Sequence, residues 1–401
     1  MMHLHMKTTR SRTAPPPPAL PFDPLALAFK AGQEVYRAGL LATINARRGA
    51  RGLSALEWPA VGTTARRERA AFGPARLYRY GLDDAGAQKG APLLVVCSLI
   101  NRPYVLDLLP ERSVFRRLLD GGRDVWLLDW GTPGAPGAWP YTLSDFTLDL
   151  LPRAVAEVKA QSGSRDVDVL GYCMGGTMAL AAAAAEGDPL GARALVLMAT
   201  PVDLHDDGLL SLWSRAPGFD AAALVRAYGH APPHLLQPAF KMLDPVGLAT
   251  KLVHLEEKID DDAFVRFFLA METWLEDSAP FPGGAFAEWL GWYRDNALVA
   301  RGGTILDGRK IDPTRVTLPI LSLVAEGDTI TPPASSLAIE RALPRARHTI
   351  VKQSGGHIGL ATGSSAHKKM WPEVVRWLGA LDGQEKPQTK KPSAAKGGKG
   401  K

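Results

Sequence analysis

The chain holds only two cysteines, Cys97 and Cys173, in 401 residues. Two cysteines cannot build a disulfide framework, and the lack of any CxxC pair or Cys/His spacing leaves no recognisable metal motif. A reducing compartment, the cytoplasm, is the expectation. Long apolar runs are also missing. No stretch approaches the roughly 18 uninterrupted apolar residues of a membrane span, and the alanine-rich "MALAAAAAEG" is too short, so no transmembrane segment is expected. No repeat of fixed period occurs, which sets aside solenoids and propellers. Acid is absent from the last 16 residues, which carry six lysines, so the whole excess of +6 sits there and residues 1–385 balance to neutral. A basic tail alone makes no nucleic-acid site. Without a helix-turn-helix, RNA-binding or zinc motif, no nucleic-acid partner is expected.

What is present is an ordinary globular composition, 46% hydrophobic and 22% charged, enough apolar material for a large buried core. From about Pro92 strand-like and helix-like segments alternate. "LLVVCSLI", "VWLLDW", "VDVLG", "ALVLMAT", "LPILSLVAEGD" and "RHTIVKQSG" read as strands, and "SDFTLDLLPRAVAEVKAQSG" as a helix capped by Ser144 and Asp145. Continuous apolar strands alternating with helices imply a mostly parallel sheet covered on both faces. Between these strands, residues 201–312 are amphipathic, aromatic-rich and lack a buried-strand pattern. The expected organisation is a flexible proline-rich leader over 1–30, an N-terminal segment over 31–91, a core over 92–200 and 313–383, a helical cap over 201–312 and a disordered lysine-rich tail over 384–401.

The chemistry concentrates at "LGYCMGGT". An apolar strand ends in Gly171-Tyr172-Cys173-Met174-Gly175-Gly176 and an alanine-rich helix follows at once, the G-x-nucleophile-x-G pattern of a nucleophile elbow. Such a turn leaves no room for Cβ atoms beside the nucleophile, so glycines flank it. The helix N-terminus beneath Cys173 favours a thiolate and a developing oxyanion. Cys97, inside an apolar run with no such turn, reads as a small buried hydrophobe.

A thiolate needs a base, and the base an orienting acid. His357 in "SGGHIG" and Asp328 in "AEGDTITPP" both follow strands, in the order nucleophile, acid, histidine of α/β-hydrolases. The fold expected is therefore an α/β-hydrolase with an inserted helical cap. Asp129, in "LLDWG", precedes the nucleophile and is the second choice for the acid. The oxyanion is expected to meet the backbone N–H groups of Met174 and, from "LINRPY", of a residue near Ile100. Tyr104 and Asp107 are candidates for the site entrance. Trp274, Trp289 and Trp292 read as core, with a substrate channel as the other reading.

Together "SLINRPYVLDLLPERSVFRRLLDGGRDVWLLDWG", "LGYCMGGT", "AEGDTITPP", "SGGHIG" and the cap segment "KLVHLEEKIDDDAFVRFFLAMETWLEDSAPFPG" resemble the polyhydroxyalkanoate synthases over about residues 90–381. The resemblance implies that a (R)-3-hydroxyacyl-coenzyme A thioester acylates Cys173, with coenzyme A released and polyester built by repeated transfer. It makes His357 the general base, and Asp328 either the group that orients His357 or one that helps deprotonate the incoming 3-hydroxyl. Coenzyme A enters as part of the substrate, so no cofactor or metal is implied. The short region before the strands, and "GGHIG", are similar to class III catalytic subunits, though Met174 stands where those have glutamine. Implied partners are the growing polyester, an accessory subunit or a second copy, and the implied location is the surface of cytoplasmic polyester granules.

The alternative is a synthase-like cysteine hydrolase that cleaves acyl thioesters or esters, water taking the place of the hydroxyl. A dienelactone-hydrolase-like enzyme would be shorter and lack the cap. A scaffold with a dead hydrolase fold predicts a missing catalytic group, and all three are present.

Overall fold

A computed structural model of the chain describes residues 23–81, 90–132, 140–300 and 302–383. The tail over 384–401 and residues 1–22 of the expected leader lie outside the described residues. The leader does not extend to residue 30, because a helix, Pro24–Ala50, has already begun. Asp23 sets its start: its carboxylate accepts from the N–H groups of Leu25 (2.9 Å) and Ala26 (3.1 Å), and Pro24 brings a preset φ with no N–H to satisfy.

Strands also begin before residue 92. β1 (Arg66–Phe72) and β2 (Ala75–Tyr80) form an antiparallel hairpin. β1 reads RRERAAF and is exposed over its first four residues, so it carries no buried-strand signal, as suits a charged sheet edge. β3 (Leu93–Val96), β4 (Val125–Asp129), β5 (Asp168–Tyr172) and β6 (Ala194–Met198) follow. The short β7 (His230–Ala231) and β8 (Phe281–Pro282) pair with each other, as do β9 (Thr304–Leu306) and β10 (Arg309–Ile311). β11 (Pro319–Ala325) and β12 (Arg347–Gln353) rejoin the main sheet, whose order is β1-β2-β4-β3-β5-β6-β11-β12. From β4 to β12 every neighbouring pair is parallel.

Alternation along the inner strands feeds two cores. Leu94 and Val96 of β3 pack on one face with the helices Leu151–Ser162 and Met174–Ala184. Leu93 and Val95 pack on the other with Val114–Asp120 and Trp371–Asp382. Because both faces are covered, these strands read as unbroken apolar runs. The helix leading to Leu151 is capped by Thr142, two residues before the expected Ser144. Its hydroxyl accepts from the Asp145 N–H (3.2 Å) while the Asp145 carboxylate accepts from the Thr142 N–H (2.8 Å), placing Asp145 inside the first turn.

Six helices between Leu209 and Asp295 build the cap among the described residues. Among the described residues the rest of the 201–312 insertion is not helical. Asp307 and Gly308, both at positive φ, close the β9–β10 hairpin, a turn that Asp-Gly favours. That hairpin bonds Ala184–Glu186, at the far end of the helix that starts beside Cys173. The N-terminal helix is tied to the cap. Arg48, 1% exposed, donates to the carbonyls of Ile259 (2.7 Å) and Ser54 (3.0 Å) and pairs with Asp262. Tyr36 donates to the buried carboxylate of Glu272 (2.5 Å), which Lys251 also meets at 3.0 Å. No helix among the described residues is long and apolar enough to cross a membrane.

Candidate active site

The sheet order places the site. From β3 the chain steps to β4 on one side, and β5 then lies on the other side of β3. At such a reversal the loops leaving the strand ends part and open a crevice. Cys173 leaves β5 there, and Ile100 lies in the loop leaving β3.

Cys173 takes φ 54° and ψ −125°, a conformation L-residues rarely adopt, held by its N–H bond to the Met198 carbonyl (2.8 Å). The glycines are required sterically. A Cβ on Gly171 would lie 2.3 Å from the Gly176 Cα, and one on Gly175 2.2 Å from the Val96 carbonyl oxygen. Met174 is the first residue of the following helix, so its N–H has no acceptor within the helix and is available above the turn.

His357 follows β12 and Asp328 follows β11. His357 Nδ1 and Asp328 Oδ2 are 2.8 Å apart, and the remaining oxygen, Oδ1, accepts from the N–H groups of Ile330 (2.9 Å) and Thr331 (2.8 Å). On its other side His357 lies within reach of the Cys173 charge, and both side chains line one cavity. Burial acts to lower the His357 pKa, but the charges of Cys173 and Asp328 and the hydrogen bond to Asp328 outweigh it and raise it to about 10. The arrangement favours the imidazolium form of His357. Tyr172 completes it: its ring stacks on the imidazole (centroids 5.2 Å apart) and its hydroxyl donates to the His357 carbonyl (3.3 Å). Tyr172 stands next to the nucleophile in sequence, yet only the fold shows that it braces the histidine.

Cys173, His357, Met174 and Ile100 line one cavity of about 560 Å³ beneath the cap. Its walls are mostly apolar and include Trp213, Phe219, Phe286 and Tyr293. Trp274 and Trp289 are buried in the core and also line the cavity, so both readings of them hold; Trp292 is core alone. Asp129, Asp107 and Tyr104 find partners other than His357, and Cys97 is the buried hydrophobe it was expected to be. Asp129 accepts from the Gly131 N–H (2.9 Å) and faces Arg66 (3.9 Å). Asp107 accepts from the N–H (2.8 Å) and hydroxyl (2.5 Å) of Thr64, which anchors its loop. Tyr104 donates to Asp277 (3.1 Å) on the cap. Cys97 is buried in the core.

A family model described as the alpha/beta hydrolase fold matches residues 103–364, which include the elbow, Asp328 and His357. The "Poly(3-hydroxyalkanoate) polymerase subunit PhaC" of Allochromatium vinosum is 34% identical over 305 residues, 75% of this chain and 84% of that protein. The chain belongs to the poly(3-hydroxyalkanoate) polymerase family. The like-named subunit of Haloferax mediterranei is 37% identical over 294 residues, 73% of this chain, and that of Synechocystis sp. 34% over 296 residues. The chain spans 59% of the length of the Haloferax polymerase subunit and 64% of that of Haloarcula marismortui. Among solved structures, a thermophilic esterase from Thermogutta terrifontis is 18% identical at a TM-score of 0.46, over 80% of this chain and 100% of its own.

Proposed function

We propose that this chain polymerises (R)-3-hydroxyacyl-coenzyme A into polyhydroxyalkanoate, releasing coenzyme A, through an acyl-enzyme on Cys173. The observation that carries the reading is Cys173, at a positive-φ elbow, lining one apolar cavity with a His357 that is hydrogen-bonded to Asp328 (2.8 Å). It occurs in a chain of the polymerase family.

In the first step the Cys173 thiolate attacks the thioester carbonyl, and the C–S bond to coenzyme A breaks. His357 gives its proton to the departing thiolate. Met174, with Ile100 as second donor, offers N–H groups to the oxyanion. Acylation removes the Cys173 charge, which is the chief influence raising the His357 pKa, and leaves the lowering effect of burial less opposed. The histidine that began as an acid is thereby prepared to act as a base. It takes the proton of the next 3-hydroxyl, whose oxygen attacks the acyl carbonyl; the ester forms and the Cys173 thiolate and His357 imidazolium return. Asp328 serves as the orienting group: its side chain is 1% exposed, both oxygens are engaged, and it does not line the cavity that would receive a hydroxyl.

This chemistry calls for no resident cofactor, since the coenzyme A thioester is the substrate. An accessory subunit or a second copy is the proposed protein partner, and a polyester granule surface in the cytoplasm the proposed location.

The test is incubation of the full chain with 3-hydroxybutyryl-coenzyme A, alone and with an accessory polymerase subunit, beside Cys173→Ala. Coenzyme A release with insoluble polyester, both lost in the variant, is the expected result. Release with only monomeric 3-hydroxybutyrate would establish a hydrolase instead, and no release under either condition would sink the substrate assignment.

A further inference from the structure

One face of the helix Gly283–Asp295 lines the cavity. Phe286, Trp289, Leu290 and Tyr293 follow one another at three- and four-residue spacing, and all four border the space above Cys173. Only Tyr293 among them carries a hydroxyl. It is 3% exposed, and its ring meets Trp289 edge-on at 5.5 Å. The helix end below it is pinned by Asn296, whose amide donates to Asp203 (2.7 Å) and whose carbonyl accepts from the Leu204 N–H (2.8 Å). The phenol is thus held in place by packing on both sides. Yet among the described residues its hydroxyl has no hydrogen-bond partner, and the oxygen is not sealed in the core but opens on the cavity. A phenylalanine would give the same ring packing without turning a polar group to the cavity. The partner is therefore to be sought in what the cavity receives.

Burial, and then the charges of Cys173 and Asp206, hold the Tyr293 pKa well above its ordinary value, so the group remains a protonated donor, in the cavity that Cys173 also lines. An acyl group on Cys173 presents two oxygens. The carbonyl oxygen is served by the N–H groups at the elbow. The 3-hydroxyl stands two carbons beyond that carbonyl, and of the four side chains on this helix face only Tyr293 can offer it a polar group.

We propose that the Tyr293 hydroxyl binds the 3-hydroxyl oxygen of the acyl group carried by Cys173, and so selects 3-hydroxyacyl over plain acyl thioesters. This rests on the function proposed above. A phenol can donate to that oxygen both when it is a free hydroxyl and after it has become an ester oxygen, so the contact persists as the chain grows.

The test is single-turnover coenzyme A release by the full chain, with an accessory subunit if turnover requires one. Wild type and Tyr293→Phe are each given 3-hydroxybutyryl- and butyryl-coenzyme A. Losing one such hydrogen bond is expected to lower the rate with the hydroxyacyl substrate about 10- to 100-fold in Tyr293→Phe, with butyryl-coenzyme A changed less than about 2-fold. If wild type already refuses butyryl-coenzyme A, the variant must fall toward that refusal on the hydroxyacyl substrate. An equal loss on both thioesters, or no loss on the hydroxyacyl one, overturns the assignment while leaving the polymerase reading intact. Wild-type silence with both thioesters overturns the polymerase reading and this assignment with it.

Discussion

β3 and β5 are parallel neighbours, and each delivers a cysteine just beyond its last residue. Cys97 leaves β3 into a loop packed against the core. It is 4% exposed, its carbonyl accepts from the Trp130 indole N–H (2.9 Å), and burial foremost, with the charges of Asp129 and Cys173, pushes its thiol far above the ordinary range. Cys173 leaves β5 into a turn at positive φ, over a helix start and against a histidine. Both cysteines end adjacent strands at the same edge of the sheet. What separates an inert thiol from a candidate nucleophile is the backbone that follows, and the glycines make that backbone possible.

The sharpest way to break the comparison is to remove each thiol in turn. Cys173→Ala is expected to lower turnover by about 10⁴-fold or more, in an assay of coenzyme A release. Asp328→Asn should cost about 10³-fold in kcat by leaving the imidazole without its orienting charge; activity near wild type would mean that the buried ion pair is structural. Gly175→Ala drives a methyl into the Val96 carbonyl and should cost about 1–3 kcal/mol or more by denaturant unfolding.

A subtler effect concerns proton affinity. Cys173→Ala removes a charge that raises the His357 pKa, so NMR titration of that imidazole should find it lower than in wild type. A folded-state value of about 10 lies above the ordinary 6.5. The stabilisation is therefore fully present below pH 6.5 and fades as pH rises through about 10, and the variant should lose less over that window. The smallest effect is expected at the other strand: Cys97→Ala should cost about 1 kcal/mol for its small cavity and leave turnover unchanged. Iodoacetamide at neutral pH should label Cys173 and spare Cys97 in the folded chain.

The inner strands were legible because burial on both faces forces unbroken apolar runs, and the elbow was legible because its residues are contiguous. β1 and β2 were not, since an edge strand written RRERAAF carries charge where a buried strand would carry apolar side chains. The first helix had a readable cap in Asp23-Pro24, but only Ile44 and Arg48 of it are buried, so little of its length carries a core-facing pattern. The hairpin at Asp307-Gly308 announced itself in two residues that the helical reading of the cap passed over. Tyr172 and Tyr293 mark the limit. The order of Cys173, Asp328 and His357 follows a spacing along the chain, whereas the bracing of His357 and the free phenol over Cys173 arise from meetings of distant segments that leave no local pattern.

The ties between the N-terminal helix and the cap bear on engineering. Glu272 is buried, and Tyr36 and Lys251 are the groups that satisfy it, while Arg48 fastens the segment from Ile259 to Asp262. Trimming the chain to its hydrolase core would strip a buried carboxylate of one partner and unfasten the cap at a second point. Transplanting the cap to change the cavity, likewise, means moving Pro24–Ala50 with it, since the two are a single exchangeable part encoded in two separate stretches of the gene.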